Sequence, residues 1–255
     1  MNTRKRRPRS PSSTPVVLAL AILAVCLSGS ASGQCILPNS SGTVVLPDTN
    51  CPQATVGDDF LISNGLPDGT QILVPAIMTD FICELLGVPQ EFCNSPGGAL
   101  GGETQFFDAT LQMHMEGTGL LEGFSRVISV PINAISETGP RVPGSAVQDF
   151  DNEMVQLQGA IFGDPDFDIL AVRAGRNFGL PSPGHTTLTR LGPPGSDFAV
   201  DSFFDIFYEI DFQGAPGSVL EGMAGTTQGI VRMAGTGDPI ANEAQTWGYV
   251  KSMYR

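Results

Sequence analysis

The chain has few of the residues that carry most enzyme chemistry: two histidines, one tryptophan and three tyrosines among 255 residues. Catalysis by proton transfer or covalent attack needs a positioned acid, base or nucleophile, and neither histidine sits in a motif that provides one. His114 lies between Met113 and Met115 on the polar side of an alternating run, the place of a solvent-facing strand residue. His185 follows Ser182-Pro183-Gly184 at a turn that enters a threonine-rich stretch. Ser182, His185 and Asp201 or Asp205 can be drawn as a Ser/His/Asp group, but no G-x-S-x-G motif accompanies them. A backbone bond within its own turn is the plainer expectation for His185. Glycine loops followed by Gly-Lys-Ser/Thr are also absent, which removes a phosphate cradle. Nothing singles out two of the 26 carboxylates as a glycosidase pair.

Lysine is scarce too, at Lys5 and Lys251 alone, and five of the 13 basic residues sit at the N-terminus. Arg4, Lys5, Arg6, Arg7 and Arg9 precede an apolar run from Val16 to Leu27, and small residues follow from Ser28 to Gly33. That order is the basic, apolar and small-residue sequence of a secretory signal. The run is about 12 residues, well short of the roughly 20 that span a hydrocarbon core. Residues 1–33 are therefore expected to be removed, with cleavage after Gly33. Gln34 before Cys35 argues against a lipid anchor, and the arginines lack the apolar residues that follow a twin-arginine motif.

Removing the signal leaves 8 basic residues (13 less 5) against 26 acidic ones, a formal net charge of −18. Such a surface repels nucleic acid and anionic lipid, so neither is an expected partner, and it attracts cations. No apolar tail at Lys251–Arg255 offers a membrane anchor. The expected location is outside the cytoplasm, extracellular or periplasmic, with an unknown extracellular partner.

Cys26 leaves with the signal, and Cys35, Cys51, Cys83 and Cys93 remain. An even number in an exported chain reads as disulfides. Three connectivities are open, and the shortest loops favour Cys35 with Cys51 and Cys83 with Cys93. Without a C-x-x-C pair or a nearby histidine, zinc is not expected.

Glycine (31) and proline (20) are plentiful, which favours short strands and tight turns over helices. The clearest pattern is Phe198, Val200, Phe204, Ile206, Tyr208, Ile210 and Phe212 alternating with Ala199, Asp201, Asp205, Glu209, Asp211 and Gln213. Period two over this length predicts a strand with one face on a core. A helix would stack Asp201, Asp205 and Glu209 on one face, where like charges repel. Phe107, Ala109, Leu111, Met113 and Met115 repeat the pattern. Further strands are expected at 127–132, 154–162, 167–174, 186–191 and 229–233. Ten or so strands predict an all-β fold, a β-sandwich or jelly-roll.

Short matches recur in order. Phe106-Phe107-Asp108 matches Phe203-Phe204-Asp205, Gly117 matches Gly214, and Leu121-Glu122-Gly123 matches Leu220-Glu221-Gly222. Upstream, Gly65-Leu66-Pro67 matches Gly179-Leu180-Pro181. These predict two pseudo-symmetric β units, 61–162 and 163–255, after an N-terminal segment 34–60. From GLP to FFD is 41 residues in the first copy (65 to 106) and 24 in the second (179 to 203). The extra 17 predict an insertion at about 76–97, helical around Thr79–Leu86 and tied back by Cys83 and Cys93.

Asp164-Pro165-Asp166-Phe167-Asp168 is the most suggestive acidic cluster. Three carboxylates at alternate positions can converge on a hard cation, and calcium takes six to eight oxygens. Ile169 and Gly175 stand where an EF-hand needs glycine and glutamate, so only a looser calcium site at Asp164, Asp166 and Asp168 is entertained.

Gly179-Leu180-Pro181-Ser182-Pro183-Gly184-His185-Thr186-Thr187-Leu188-Thr189, with Val200-Asp201-Ser202-Phe203-Phe204-Asp205, resembles a block shared by an uncharacterised set of exported bacterial proteins. The resemblance covers the last two-thirds of the chain. It implies a bacterial exported protein and carries no activity and no functional residue. The function expected from the sequence is a non-catalytic exported protein with a structural or adhesive role. The alternative is an extracellular hydrolase acting on a polymer.

Overall fold

The structure is a computed structural model and describes residues 35–47, 51–83 and 93–235. The all-β class expected from composition and periodicity is what it shows. Thirteen strands run in chain order: β1 (Cys35–Leu37), β2 (Gln53–Thr55), β3 (Phe60–Ile62), β4 (Ile72–Val74), β5 (Ala76–Cys83), β6 (Asn94–Pro96), β7 (Glu103–Gly117), β8 (Ser125–Thr138), β9 (Val147–Phe162), β10 (Phe167–Ala174), β11 (Ser182–Arg190), β12 (Phe198–Gly214) and β13 (Ala224–Gly235). All the pairings are antiparallel.

Those pairings return on themselves. β7 pairs with β8, β8 with β9, β9 with both β10 and β11, and these two with β12. β12 pairs with β13, β13 with β2, β2 with β5, and β5 with β7. β10 and β11 share one place in the ring, β4 and β5 another, and β2 and β3 a third. The result is eight places around a sheet closed on itself, the barrel form of sheet-on-sheet packing. At that size the interior is just wide enough for side chains to fill. It is filled here by Phe60, Ile72, Met78, Leu111, Met113, Met115, Ile132, Phe167, Ile210 and their neighbours, all buried. Residues of both expected units, 61–162 and 163–255, contribute to this one core.

The N-terminal segment forms a smaller second core. Cys35, Leu37, Val44 and Cys51 pack on Phe150, Leu188, Phe198 and Val200. Cys35 and Cys51 are joined by a disulfide across 16 residues of sequence, as the shortest-loop argument predicts. Cys93 is also disulfide-bonded. Buried Arg141 fastens the same segment, donating to the Val44 carbonyl at 2.8 Å and pairing with Glu103. Between the two cores, buried polar side chains meet across neighbouring strands. Asn152 Nδ2 donates to Thr186 Oγ1 at 2.8 Å, Thr186 bonds Ser202 at 2.8 Å, and Ser136 Oγ donates to Gln105 Oε1 at 2.9 Å. Ser202, the one polar residue on the apolar side of the long strand, is buried because Thr186 satisfies it.

The molecule departs from the sequence expectation in two places. Thr79–Cys83, expected to open a helix, is the end of β5. Its pairing with β7 shifts between Thr79 and Ile82, and Asp80 there has φ of 55°. The bulge makes Met78 and Phe81, three apart, both point inward, a spacing that imitates a helix in sequence. Glu84–Leu86 lie outside the described residues. The GLP triplets also occupy different places: residues 65–67 join β3 to β4, whereas 179–181 lie between β10 and β11. The later matches are geometrically equivalent. Gly117 N–H donates to Phe124 O and Gly214 N–H to Met223 O, at 2.9 and 2.8 Å. A Cβ on either glycine would lie 2.3 Å from Leu121 O or 1.8 Å from Leu220 O.

Candidate functional site

The interior is closed by packing, so chemistry must be sought on the outward positions of the strands. The acidic triplet lies in the β9–β10 turn and at the start of β10. Arg126, from the start of β8, reaches it and binds both Asp164 (2.9 Å) and Asp166. Asp164 Oδ1 also accepts the backbone N–H of Asp166 at 2.9 Å, folding the turn on itself. A guanidinium thus stands where a cation would have been held by Asp164 and Asp166, and Asp168 does not join them. Among the described residues no group of three or more histidine, cysteine or acidic side chains is arranged to hold a metal ion.

The Ser/His/Asp grouping does not assemble. Ser182 is fully buried, donates to Leu180 O at 3.0 Å and accepts Phe207 N–H at 3.0 Å. His185, three residues on, has the opposite parity and points outward, because side chains alternate along a strand. Asp201 faces Thr187 across the ladder, and Asp205 is held by both Nε and Nη2 of Arg232, at 2.7 and 2.8 Å. That guanidinium also lies over the Phe203 ring at 4.1 Å, and it holds the Asp205 carboxyl below its ordinary pKa.

His185 instead sits between two aspartates of β9 that the sequence did not single out. Its Nδ1 is 3.0 Å from Asp151 Oδ1, and its Nε2 bonds Asp149. This replaces the backbone bond expected for it. Both ring nitrogens face carboxylates, so the doubly protonated ring satisfies both. The pKa rises accordingly, first through Asp151 and then Asp149. His114 does the reverse: burial lowers its pKa. It is half-buried and near Gln112 Oε1 at 3.2 Å.

The arginines explain much of the outer wall. Arg126, Arg141, Arg173, Arg176 and Arg232 each pair with carboxylates, and Arg190 donates to the carbonyls of Gly144 and Gly192. No lysine lies among the described residues. Arg176 bridges Glu137 and Glu153, which stand directly opposite each other on β8 and β9. Arg173 binds Glu209 and reaches Asp211 at 3.4 Å. The Glu209 carboxyl is held below its ordinary pKa, first by Gln228 and then by Arg173.

One open groove of about 770 Å³ crosses this wall over β5, β7, β8, β9, β10 and β12. Gly159, Ala160, Ala171 and Pro131 give it a low floor, with Ile82 and Phe178 among its apolar lining. Asp80, Asp108 and Asp211 supply carboxylates, and Asn133 and Gln158 supply amides. A chain of side-chain bonds leads into it, ending on the lining residues Asn133 and Asp108. Asn177 donates to Gln156 (3.3 Å), Gln156 to Asn133 (3.1 Å) and Asn133 to Asp108 (3.2 Å). These amides carry no sequence motif; only the register of β7, β8 and β9 brings them together.

The disulfide is compatible with an oxidising compartment. No helix among the described residues is long and apolar enough to cross a membrane. Searched against protein-family models, curated proteins and solved structures, the chain finds no match in any of the three.

Proposed function

We propose that this chain is an exported, non-catalytic binding protein with a structural or adhesive role, presenting an acidic barrel wall to an extracellular partner. The observation that carries this reading is the use of the six arginines among the described residues: five neutralise carboxylates of the same molecule and the sixth is tied to backbone carbonyls. Among the described residues, carboxylates such as Asp80, Asp108, Asp201 and Glu122 form no ion pair with an arginine. The filled interior turns recognition to the outside. Export is supported by the basic, apolar and small-residue order of residues 1–33 and by the disulfides. The Gly117 and Gly214 turns, with their buried Leu121 and Leu220, further support reading β7–β8 and β12–β13 as copies of one hairpin.

The test is expression of the full chain in a bacterial host, with intact mass and peptide mapping of the exported material. The expected product begins at Gln34, carries no lipid, has its cysteines oxidised, and hydrolyses none of a panel of glycoside, ester and peptide polymers. An exported product that retains Met1, or polymer turnover abolished by His185→Gln, would overturn the reading.

A further inference from the structure

We infer that the groove over β5, β7, β8, β9, β10 and β12 is a binding site for an extended, cationic peptide segment. The inference rests on the exported binding reading and names the occupant of one site on the wall. The groove crosses six neighbouring places of the closed sheet, so an occupant that reaches from Asp80 to Asp211 lies across the strands and follows the curve of the wall; at about 4.8 Å per strand that arc is about 24 Å, roughly seven residues of a flexible extended chain. The groove's volume of about 770 Å³ is that of a cleft able to seat part of such a chain.

Its chemistry selects charge as well as length. The lining carries three carboxylates, Asp80, Asp108 and Asp211, and one guanidinium, Arg173, which is already committed to Glu209 and Asp211. Among the described residues, Asp80 accepts the Thr79 hydroxyl alone (2.9 Å) and Asp108 an Asn133 amide alone (3.2 Å). Each keeps acceptor capacity for a cation, since an ionised carboxylate offers about four lone-pair sites. The bulge in β5 sets both Asp80 and Ile82 outward at one rim, and Ile82 is 50% exposed. Phe178 stands at another part of the lining, on the short turn anchored by Arg176. A lysine or arginine side chain fits this combination, laying its aliphatic stem on Ile82 or Phe178 while its head meets a carboxylate. The mature charge of −18 steers such a partner toward the wall.

The experiment uses the disulfide-intact mature chain and a fluorescent seven-residue peptide with three lysines among leucines and glycines. A peptide with glutamates for the lysines and a neutral hexasaccharide serve as competitors of other chemistry. The lysine peptide is expected to bind, with affinity falling as salt rises. Asp80→Asn with Asp108→Asn should weaken it ten-fold or more. Asp58→Asn with Asp68→Asn, both exposed and outside the groove, should change it less than two-fold. Asparagine tolerates the left-handed backbone of Asp80, so the first pair should melt with the parent. No binding of the lysine peptide, or equal weakening by the two pairs, overturns the site. Preferential binding of the saccharide overturns the occupant while leaving an exported binding protein intact.

Discussion

Arg176 joins the stability of the barrel to the shape of the groove, and its removal tests both. Glu137 and Glu153 face each other across β8 and β9, where side chains lie about 5 Å apart and like charges repel. The Glu137 side chain is only 8% exposed, and its other oxygen is fixed by the Ala99 N–H at 2.8 Å. Arg176 is kept strongly protonated by these carboxylates, Glu137 first. Arg176→Met keeps the length of the side chain and removes the bridge. Two charges about 6 Å apart at an effective dielectric constant near 20 repel by roughly 3 kcal/mol. Arg176 is about a third exposed, so solvent takes part of that, and a loss of about 2 kcal/mol is expected. Urea unfolding followed by far-UV circular dichroism reads it directly. Adding Glu137→Gln to Arg176→Met should restore about 1 kcal/mol or more, because the opposed pair is then gone. A loss below about 0.5 kcal/mol, or purely additive single substitutions, would refute the bridge. Phe178 shares the Arg176 turn, so the same variant should also weaken the lysine peptide without touching it.

Replacing both Cys35 and Cys51 by serine should cost about 3 kcal/mol, the loop-entropy value for a closure of this length; a melting temperature within about 2 °C of the parent would contradict it. Gly214→Ala and Gly117→Ala should each destabilise by about 2 kcal/mol or more, since the new Cβ meets a leucine carbonyl; a thermal melt equal to wild type at either site would refute the tight turn. The two histidines should titrate on opposite sides of the ordinary value near 6.5, resolved by imidazole NMR. His185 is raised, so its contribution to stability is full below that value and is lost as pH rises through its own pKa. His114 is lowered, so its contribution is present above the ordinary value and is lost as pH falls through its own pKa. Coincident midpoints would contradict both environments.

The long strands were legible because period two is a direct imprint of a sheet with one buried face. The alternation from Phe198 to Gln213 became β12, Phe198–Gly214, and the expected 167–174 became β10 with the same bounds. The Cys35–Cys51 pairing followed from loop length. What failed was information of another kind. The β5 bulge broke the period locally, so the stretch beginning at Thr79 read as helical although its described part, Thr79–Cys83, is strand. The GLP triplets matched in letters but serve two different connections. The partners of His185 lie 34 and 36 residues away, on β9, and the amides of the groove meet only through the register of three strands. Such contacts depend on which strands are neighbours, and nothing local in the chain states that order.

The charge balance and the barrel constrain each other in a way that separates stability from binding. A closed antiparallel sheet puts outward carboxylates within reach of one another on adjacent strands, and a chain this acidic must relieve some of that repulsion. It does so with single guanidiniums that each serve two carboxylates: Arg176 between Glu137 and Glu153, Arg173 between Glu209 and Asp211, Arg126 between Asp164 and Asp166. Three arginines thereby offset six acids and leave the rest of the wall negative. Carboxylates held by arginine belong to the fold, and neutralising one of them exposes a guanidinium to a lost partner. Asp80 and Asp108 carry no such obligation, and their neutralisation removes charge from the groove at little structural cost. An acidic protein that has used its few cations to hold its own strands in register can attract an external cation only where those cations are absent, and the groove floor between β5 and β9 is such a place.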